Sequence, residues 1–206
     1  MGRDRSLSCG AMAEPPTDAL RALLAAHLPY DAAEAADLER MCAFATSLER
    51  PFSPDQRGAH FTGSAMVIDE AGARVCLVHH RKLGRWLQPG GHAEPADAGR
   101  MEVTALREAS EVTSLDVALH PSAPLPLDVD VHPIPPRGDV PEHLHLDVRV
   151  LVVARGEPAH DAAESHGARW FPLDEGERIA CDGAPDRADL ERMFAKTRRI
   201  VAAAAG

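Results

Sequence analysis

Apolar and polar positions change their period several times along the 206 residues, and those changes divide the chain. From Thr17 to about Leu28 the apolar positions recur at helical spacing, and Pro29 breaks the pattern. Asp31 followed by Glu34 reads as the cap of a second helix to about Leu48, with Leu38, Met41, Cys42, Ala45 and Leu48 on one stripe. Pro51 to Gly58 is a linker where the composition shifts. From His60 the chain reads as strands: Phe61–Ile68 and Arg74–His80 flank the turn-rich Asp69-Glu70-Ala71-Gly72, a hairpin signature. A loop from Lys82 to Pro89 precedes a helix from about Arg100 to Thr113. Leu125–Ile134 and Leu144–Val153 are predicted strands joined by the Pro- and charge-rich segment Pro135 to Glu142, and Arg169–Leu173 is a further short one. Asp186 to Val201 is a closing helix carrying Leu190, Met193, Phe194, Thr197 and Val201 along one side. Hairpin-forming strands, with helices that do not strictly alternate with them, predict an α/β fold in which a mixed sheet lies between helices. No repeat is evident. The expected domains are a disordered lead over 1–16, a helical extension over 17–55 and a main domain over 56–206. The extension either pads the main domain or serves dimerisation or substrate choice.

With 45% hydrophobic and 26% charged residues the composition is that of a globular protein with a sizeable core, and 4% aromatics leaves its packing to aliphatic side chains. A net charge of −10 argues against an extended nucleic-acid partner, which needs a basic face. A small anion can still be held by local cations, backbone amides and a divalent metal. Cys9, Cys42, Cys76 and Cys181 lack the short spacings of zinc sites or disulfide scaffolds and read as reduced. No apolar run approaches membrane-spanning length, and Met1 to Gly10 has no signal-peptide core. Met1-Gly2-x-x-x-Ser6 formally fits a myristoylation pattern, but the charged Arg3-Asp4-Arg5 beside it favours chance. A cytoplasmic protein with no membrane partner is expected.

The chemistry concentrates between Gly90 and Leu115. Glu108 and Glu111, three apart, share a helix face and can share a divalent cation. Arg107 beside them can orient a carboxylate or touch a phosphate, and Gly90-Gly91 lets backbone approach a metal or phosphate closely. Glu-x-x-Glu alone is usually a solvated face; the glycine pair and flanking strands raise it above that.

Gly91-x5-Asp97, followed by Arg107-Glu108-Ala109-Ser110-Glu111-Val112-Thr113-Ser114-Leu115, resembles the Nudix box, G-x5-E-x7-R-E-U-x-E-E-x-G-U with U aliphatic. The likeness runs back through His79–His92 and covers roughly Phe61 to Leu173. It implies a Nudix-type α/β/α sandwich with the helical extension outside it. It further implies metal-dependent hydrolysis of a nucleoside diphosphate linked to another group, with Mg²⁺ or Mn²⁺ as cofactor, a small nucleotide as substrate and a homodimer as the state to expect. Carried over, Gly90 lends a carbonyl to the metal, Glu108 is a metal ligand or the base that activates water, and Glu111 is a metal ligand. Arg107 holds the neighbouring glutamate. Glu164, six residues before Trp170, stands where many members place one more catalytic glutamate on a loop.

The sequence departs from the box at four points. Asp97 shortens the first glutamate, and nine residues rather than seven separate it from Arg107. Ser114 replaces a glycine after the helix. Val112 replaces the second glutamate of the pair and cannot ligate, so a Nudix-like module that binds or senses a nucleotide without cleaving it is the alternative reading. Among other candidates, His143, His145 and Asp147 alternate and so project from one strand face, as a second metal site, a phosphate-binding row or an outer polar face. His92 adjoins the glycine pair and is the best phosphate contact of the nearby histidines. Arg85 and Trp86 are candidate substrate contacts from the preceding loop, Trp86 by stacking on a base or, more ordinarily, by packing.

Overall fold

The structure, a computed structural model, describes residues 16–160 and 165–204. The lead expected over 1–16, apart from Pro16, and the expected loop residue Glu164 lie outside the described residues. The extension forms α1 (Pro16–Ala26), opened by a proline whose missing amide is harmless there, and α2 (Ala32–Ser47). Asp31 caps α2, its Oδ1 accepting the Glu34 amide at 2.8 Å. Glu34 does not return the favour. Its carboxylate turns inward and accepts the Tyr30 amide at 2.6 Å and the Val129 amide at 3.2 Å.

The sheet starts with β1 (Ala59–Asp69) and β2 (Arg74–His80), the expected hairpin, paired antiparallel through Val67 and Cys76. The segment read as a loop from Lys82 to Pro89 contains a short strand, β3 (Arg85–Leu87) on β2, and a second, β4 (Gly90–His92) on β1, follows it. A 3₁₀ turn over Pro95–Asp97 leads to α3 (Met101–Thr113), which carries the Glu108 motif. Then come β5 (Asp116–Leu119), β6 (Asp128–Ile134), β7 (His143–Arg155) and β8 (Ser165–Pro172). The chain closes with α4 (Leu173–Cys181) and α5 (Arg187–Ala204). β1 runs parallel to β7 along its whole length, while β5 and β6 join β7 antiparallel and β8 joins β2 antiparallel. The sheet is therefore mixed, as expected. β5 and α4 were not foreseen, and β8 begins four residues earlier than the strand read from Arg169.

Helices cover both faces, giving the α/β/α sandwich. On one face Met66, Ile68, Val75, Leu77 and Leu151 pack against Leu190, Met193 and Phe194 of α5 and Ala180 of α4. The alternate residues of the same strands face the other way. Phe61, Leu146 and Val148 meet Leu20 and Leu24 of α1 and Met41 of α2, and Ala65, Val67 and Val150 meet Ala105 and Ala109 of α3. Gly63 explains how α3 comes so near: a Cβ there would stand 2.7 Å from the Met101 carbonyl oxygen and 3.0 Å from the Ala105 nitrogen. Ser114 ends α3 with φ at +57°, the left-handed conformation for which a glycine is the easier residue.

Candidate functional site

Arg107, midway along α3, gathers the acidic groups of the box. Its Nε and Nη2 donate to the Asp97 carboxylate at 3.2 and 3.0 Å, and its Nη1 donates to Glu108 Oε1 and Glu111 Oε2, both at 3.0 Å. Nη2 also donates to the His92 carbonyl at 2.8 Å, which ties α3 to β4, and Glu94 stands 3.7 Å away. Asp97 is the inner member, its side chain 2% exposed, and it further accepts the Glu94 amide and the Thr104 hydroxyl. Burial pushes the Asp97 carboxyl up, but these hydrogen bonds, led by Arg107, outweigh it and hold it below the usual carboxylate range. Arg107 is correspondingly held more firmly charged by its bond to Asp97. The longer Asp97–Arg107 spacing is thus absorbed by the turn and the extra residues before α3, and the aspartate still reaches its arginine.

Four carboxylates converge on this one guanidinium, and those of Glu108 and Glu111 lie at its outer side, Glu111 58% exposed. Gly91 provides room for them. A Cβ there would stand 2.4–2.5 Å from the Glu108 carboxylate atoms, so the acid lies directly against the backbone of β4. Gly90 has its own packing reason, because a Cβ would stand 2.4 Å from that of Ser64 on β1. Val112 points away from this cluster of charge into an apolar contact with Val78 and Ala168. A cleft of about 470 Å³ opens beside Glu94, between the linker at Arg50–Pro54 and the turn before α3.

The remaining expected residues go elsewhere. Arg85 turns to the α4–α5 connection, where Nη2 donates to the Ala180 carbonyl at 3.2 Å and lies 3.3 Å from Asp186. Trp86 packs edge-on against Phe171 and beside His79. Neither is directed to the carboxylates on α3, so for both the packing or tethering reason is the one the structure supplies. His92, His143 and His145 are brought together, with their ring centroids 5.2–5.3 Å apart for the pairs that involve His145.

A polar row on the face opposite α3 was missed apart from His143, His145 and Asp147. Asp147 accepts the hydroxyls of Thr62 and Ser64 at 3.0 and 2.6 Å. Arg149, fully buried, donates to Asp128, Asp130 and Asp147 at 3.3, 2.8 and 3.2 Å. Arg192 and Lys196 of α5 answer Asp128 from the other side, and Lys196 continues to Glu34, which also pairs with His27. His60 and His132 complete the row. Burial pushes the His60 imidazole down to about 4, with His92 and His143 adding to it; the Gln56 backbone pulls weakly the other way but is not in hydrogen-bonding geometry. Burial and then the neighbouring histidines push His145 down to about 2. His132 goes the other way: burial opposes its charge, but the Asp130 carboxylate 2.5 Å from Nδ1 raises it. The available signal was the period-two run of polar residues in His60-x-Thr62-x-Ser64, Asp128-x-Asp130-x-His132 and His143-x-His145-x-Asp147-x-Arg149.

The sequence model of the NUDIX domain matches residues 60–192. The chain belongs to the Nudix family. Hydrolases of this family cleave compounds built on a nucleoside diphosphate. Among solved structures, a NUDIX-family hydrolase from Clostridium perfringens is 23% identical, covering 68% of this chain and 97% of its own, with a TM-score of 0.48. An Ap4A hydrolase from C. elegans is 16% identical, covering 66% and 95%, with a TM-score of 0.47. A dihydroneopterin triphosphate pyrophosphohydrolase from E. coli is 10% identical, covering 68% and 95%, with a TM-score of 0.46. No curated protein matches the chain. In this Nudix protein the box helix is α3, and the helices α1 and α2 precede the matched residues. No described helix is long and apolar enough to cross a membrane.

Proposed function

We propose that the protein hydrolyses a pyrophosphate bond in a nucleoside diphosphate linked to another group, using Mg²⁺ or Mn²⁺. The observation that carries the reading is the set of acids around Arg107: four carboxylates are gathered there, those of Glu94 and Glu111 at the exposed side of the box. That donor set, all oxygen and partly exposed, suits a hard dication, which Glu108, Glu111 and the Gly90 carbonyl would hold. When bound, such an ion supplies charge neutralisation at the phosphate oxygens and a more acidic water. The protein's own residues do the rest. Arg107 fixes the Glu108 carboxylate through Nη1 while Asp97 fixes Arg107, so the base is oriented before substrate arrives. Glu108 accepts the proton of the attacking water. The missing Cβ of Gly91 keeps that carboxylate against β4 rather than displaced into solvent. The cleft beside Glu94 offers room for one end of the substrate. The protein acts in the cytoplasm, as a homodimer, on a small nucleotide rather than on nucleic acid, in keeping with the net charge of −10. Glu164 is a further metal ligand in this reading.

One observation favours a second reading, a nucleotide-binding module of little or no activity. Val112 packs against Val78 and Ala168, so that position offers an apolar surface where the family pattern has a carboxylate. Incubation with a panel of sugar nucleotides, ADP-ribose, dinucleoside polyphosphates and oxidised nucleoside triphosphates separates the two. The hydrolase releases a nucleoside monophosphate from at least one of them with Mg²⁺ or Mn²⁺ and stops when a chelator is added. Saturable binding of a nucleotide without product would establish the module instead.

A further inference from the structure

On the face of the sheet away from α3, four strands bring five histidines to one end. Gly63 and Gly91 point at α3, so their neighbours on the strands point the other way, toward His60 of β1 and His145 of β7. His60 and His145 are register partners across the parallel pair, with ring centroids 4.9 Å apart. His143 stacks on His60 at 5.0 Å, His92 of β4 lies 5.0 Å from His60, and His132 of β6 lies 5.5 Å from His145. One ring nitrogen from each of His60, His143 and His145 lies within 4.8 Å of the others. His60 is 1% exposed, yet neither of its ring nitrogens finds a hydrogen-bond partner among the described residues, and the same holds for Nε2 of His145. Buried polar atoms are nearly always partnered, so these nitrogens call for a ligand.

We propose that His60, His143 and His145 form a site for an imidazole-preferring transition-metal dication such as Zn²⁺, Co²⁺ or Ni²⁺, with His92 at its rim. His143 is already oriented for the task. A carbonyl only accepts, so Nδ1 carries the hydrogen it gives to Pro141 at 3.0 Å, and Nε2 presents its lone pair. Ligating histidines are held in this way by a bond from the other nitrogen. A tetrahedral shell with Zn–N of about 2.0–2.1 Å sets nitrogens about 3.3 Å apart, a closure of roughly 1.5 Å that ring rotation at the half-exposed His143 and His145 can supply. Three nitrogen ligands distinguish the site from the oxygen donors on α3, which suit Mg²⁺. The fourth position stays open toward the exposed His92, where water or an anionic group has access.

The site stands whether or not the carboxylates on α3 support hydrolysis, and its test reads binding alone. Untagged full-length protein, stripped of metal with a chelator, is titrated with Zn²⁺ by calorimetry and with Co²⁺ by visible absorption. The expected result is one tight equivalent of either ion, distinct from any weaker uptake by the carboxylates on α3, with Co²⁺ bands characteristic of nitrogen ligands at low coordination number. His145→Gln and His143→Gln should each weaken binding at least about tenfold, whereas Glu108→Gln should leave it unchanged. His143→Gln changes a half-exposed residue, so it keeps the test valid if His145→Gln fails to fold. Absence of saturable Zn²⁺ and Co²⁺ binding by the parent would overturn the proposal. So would equal affinity in the parent and His143→Gln, or loss of binding in Glu108→Gln.

Discussion

Two arginines organise the polar chemistry of this molecule, and they do so in opposite ways. Arg149 is closed off and nearly balanced: it meets Asp128, Asp130 and Asp147 within the core, while Arg192 and Lys196 supply two further cations to Asp128 and Glu34. Burial opposes the charge on Asp130, but Arg149 and His132 hold its carboxyl well below the usual range, and the three aspartates in turn hold Arg149 more firmly charged. Arg107 lies nearer the surface and meets four carboxylates, those of Glu94, Asp97, Glu108 and Glu111. An interior tolerates charge only when it is matched, because each unpaired ion there costs several kcal/mol of desolvation. A partly wet site holds its carboxylates at less cost and can offer them to an incoming cation. The closed centre is architecture and the more open one is where chemistry is expected.

Each centre should fail in its own way. Glu108→Gln keeps shape and removes charge at the open centre, so turnover should fall by about 10²–10⁴-fold with the thermal midpoint unmoved. Turnover within about threefold of the parent would remove Glu108 from the reaction. Arg149→Met removes the cation from three buried aspartates, and urea unfolding should show a loss of about 3–5 kcal/mol, since breaking a buried pair strands its partner. A loss under about 1 kcal/mol, the scale of an exposed pair, would mean that water reaches the network. Gly91→Ala sharpens the contrast, because its Cβ would collide with the movable end of Glu108 rather than with backbone. It should lower turnover several-fold with little change in unfolding; equal loss of both would place the glycine in the architecture.

The smallest expected effect is the acid response of the closed centre. Burial raises the Glu34 carboxyl, but the bonds from His27, Lys196 and the Tyr30 amide win and bring it down to about 2. A carboxyl lowered on folding lends stability that is complete above its unfolded value of 4.5 and is lost as pH falls toward 2. Unfolding midpoints measured across that window should therefore drop more steeply in the parent than in Glu34→Gln. Parallel profiles would show that Glu34 titrates alike in both states.

The long periodic elements were legible because burial imposes their period: β1, β2, β7 and α5 carry runs that no other arrangement explains. β4 was not, since Gly90-Gly91-His92 has no strand propensity and becomes a strand only because Ser64, Gly63 and Thr62 pair with it. α4 hid behind Gly176, a poor helix former that is there because a Cβ would stand 2.2 Å from Val75. Of the site, the order of Gly91, Arg107, Glu108 and Glu111 was readable because α3 fixes their spacing. The pairing of Arg107 with Asp97 ten residues away, and the assembly of His60 with His145, depend on tertiary approach that local spacing does not encode.

What must hold is that the carboxylates around Arg107 take up a dication for hydrolysis. It is tested most directly by the rate of nucleoside monophosphate release as Mg²⁺ is raised from zero, in the parent and in Glu108→Gln at equal folded concentration. A saturable rise is expected in the parent, reversed by chelator, and a flat line in the variant. A rate independent of Mg²⁺, or nucleotide binding with no product at any Mg²⁺ concentration in the parent, would contradict it.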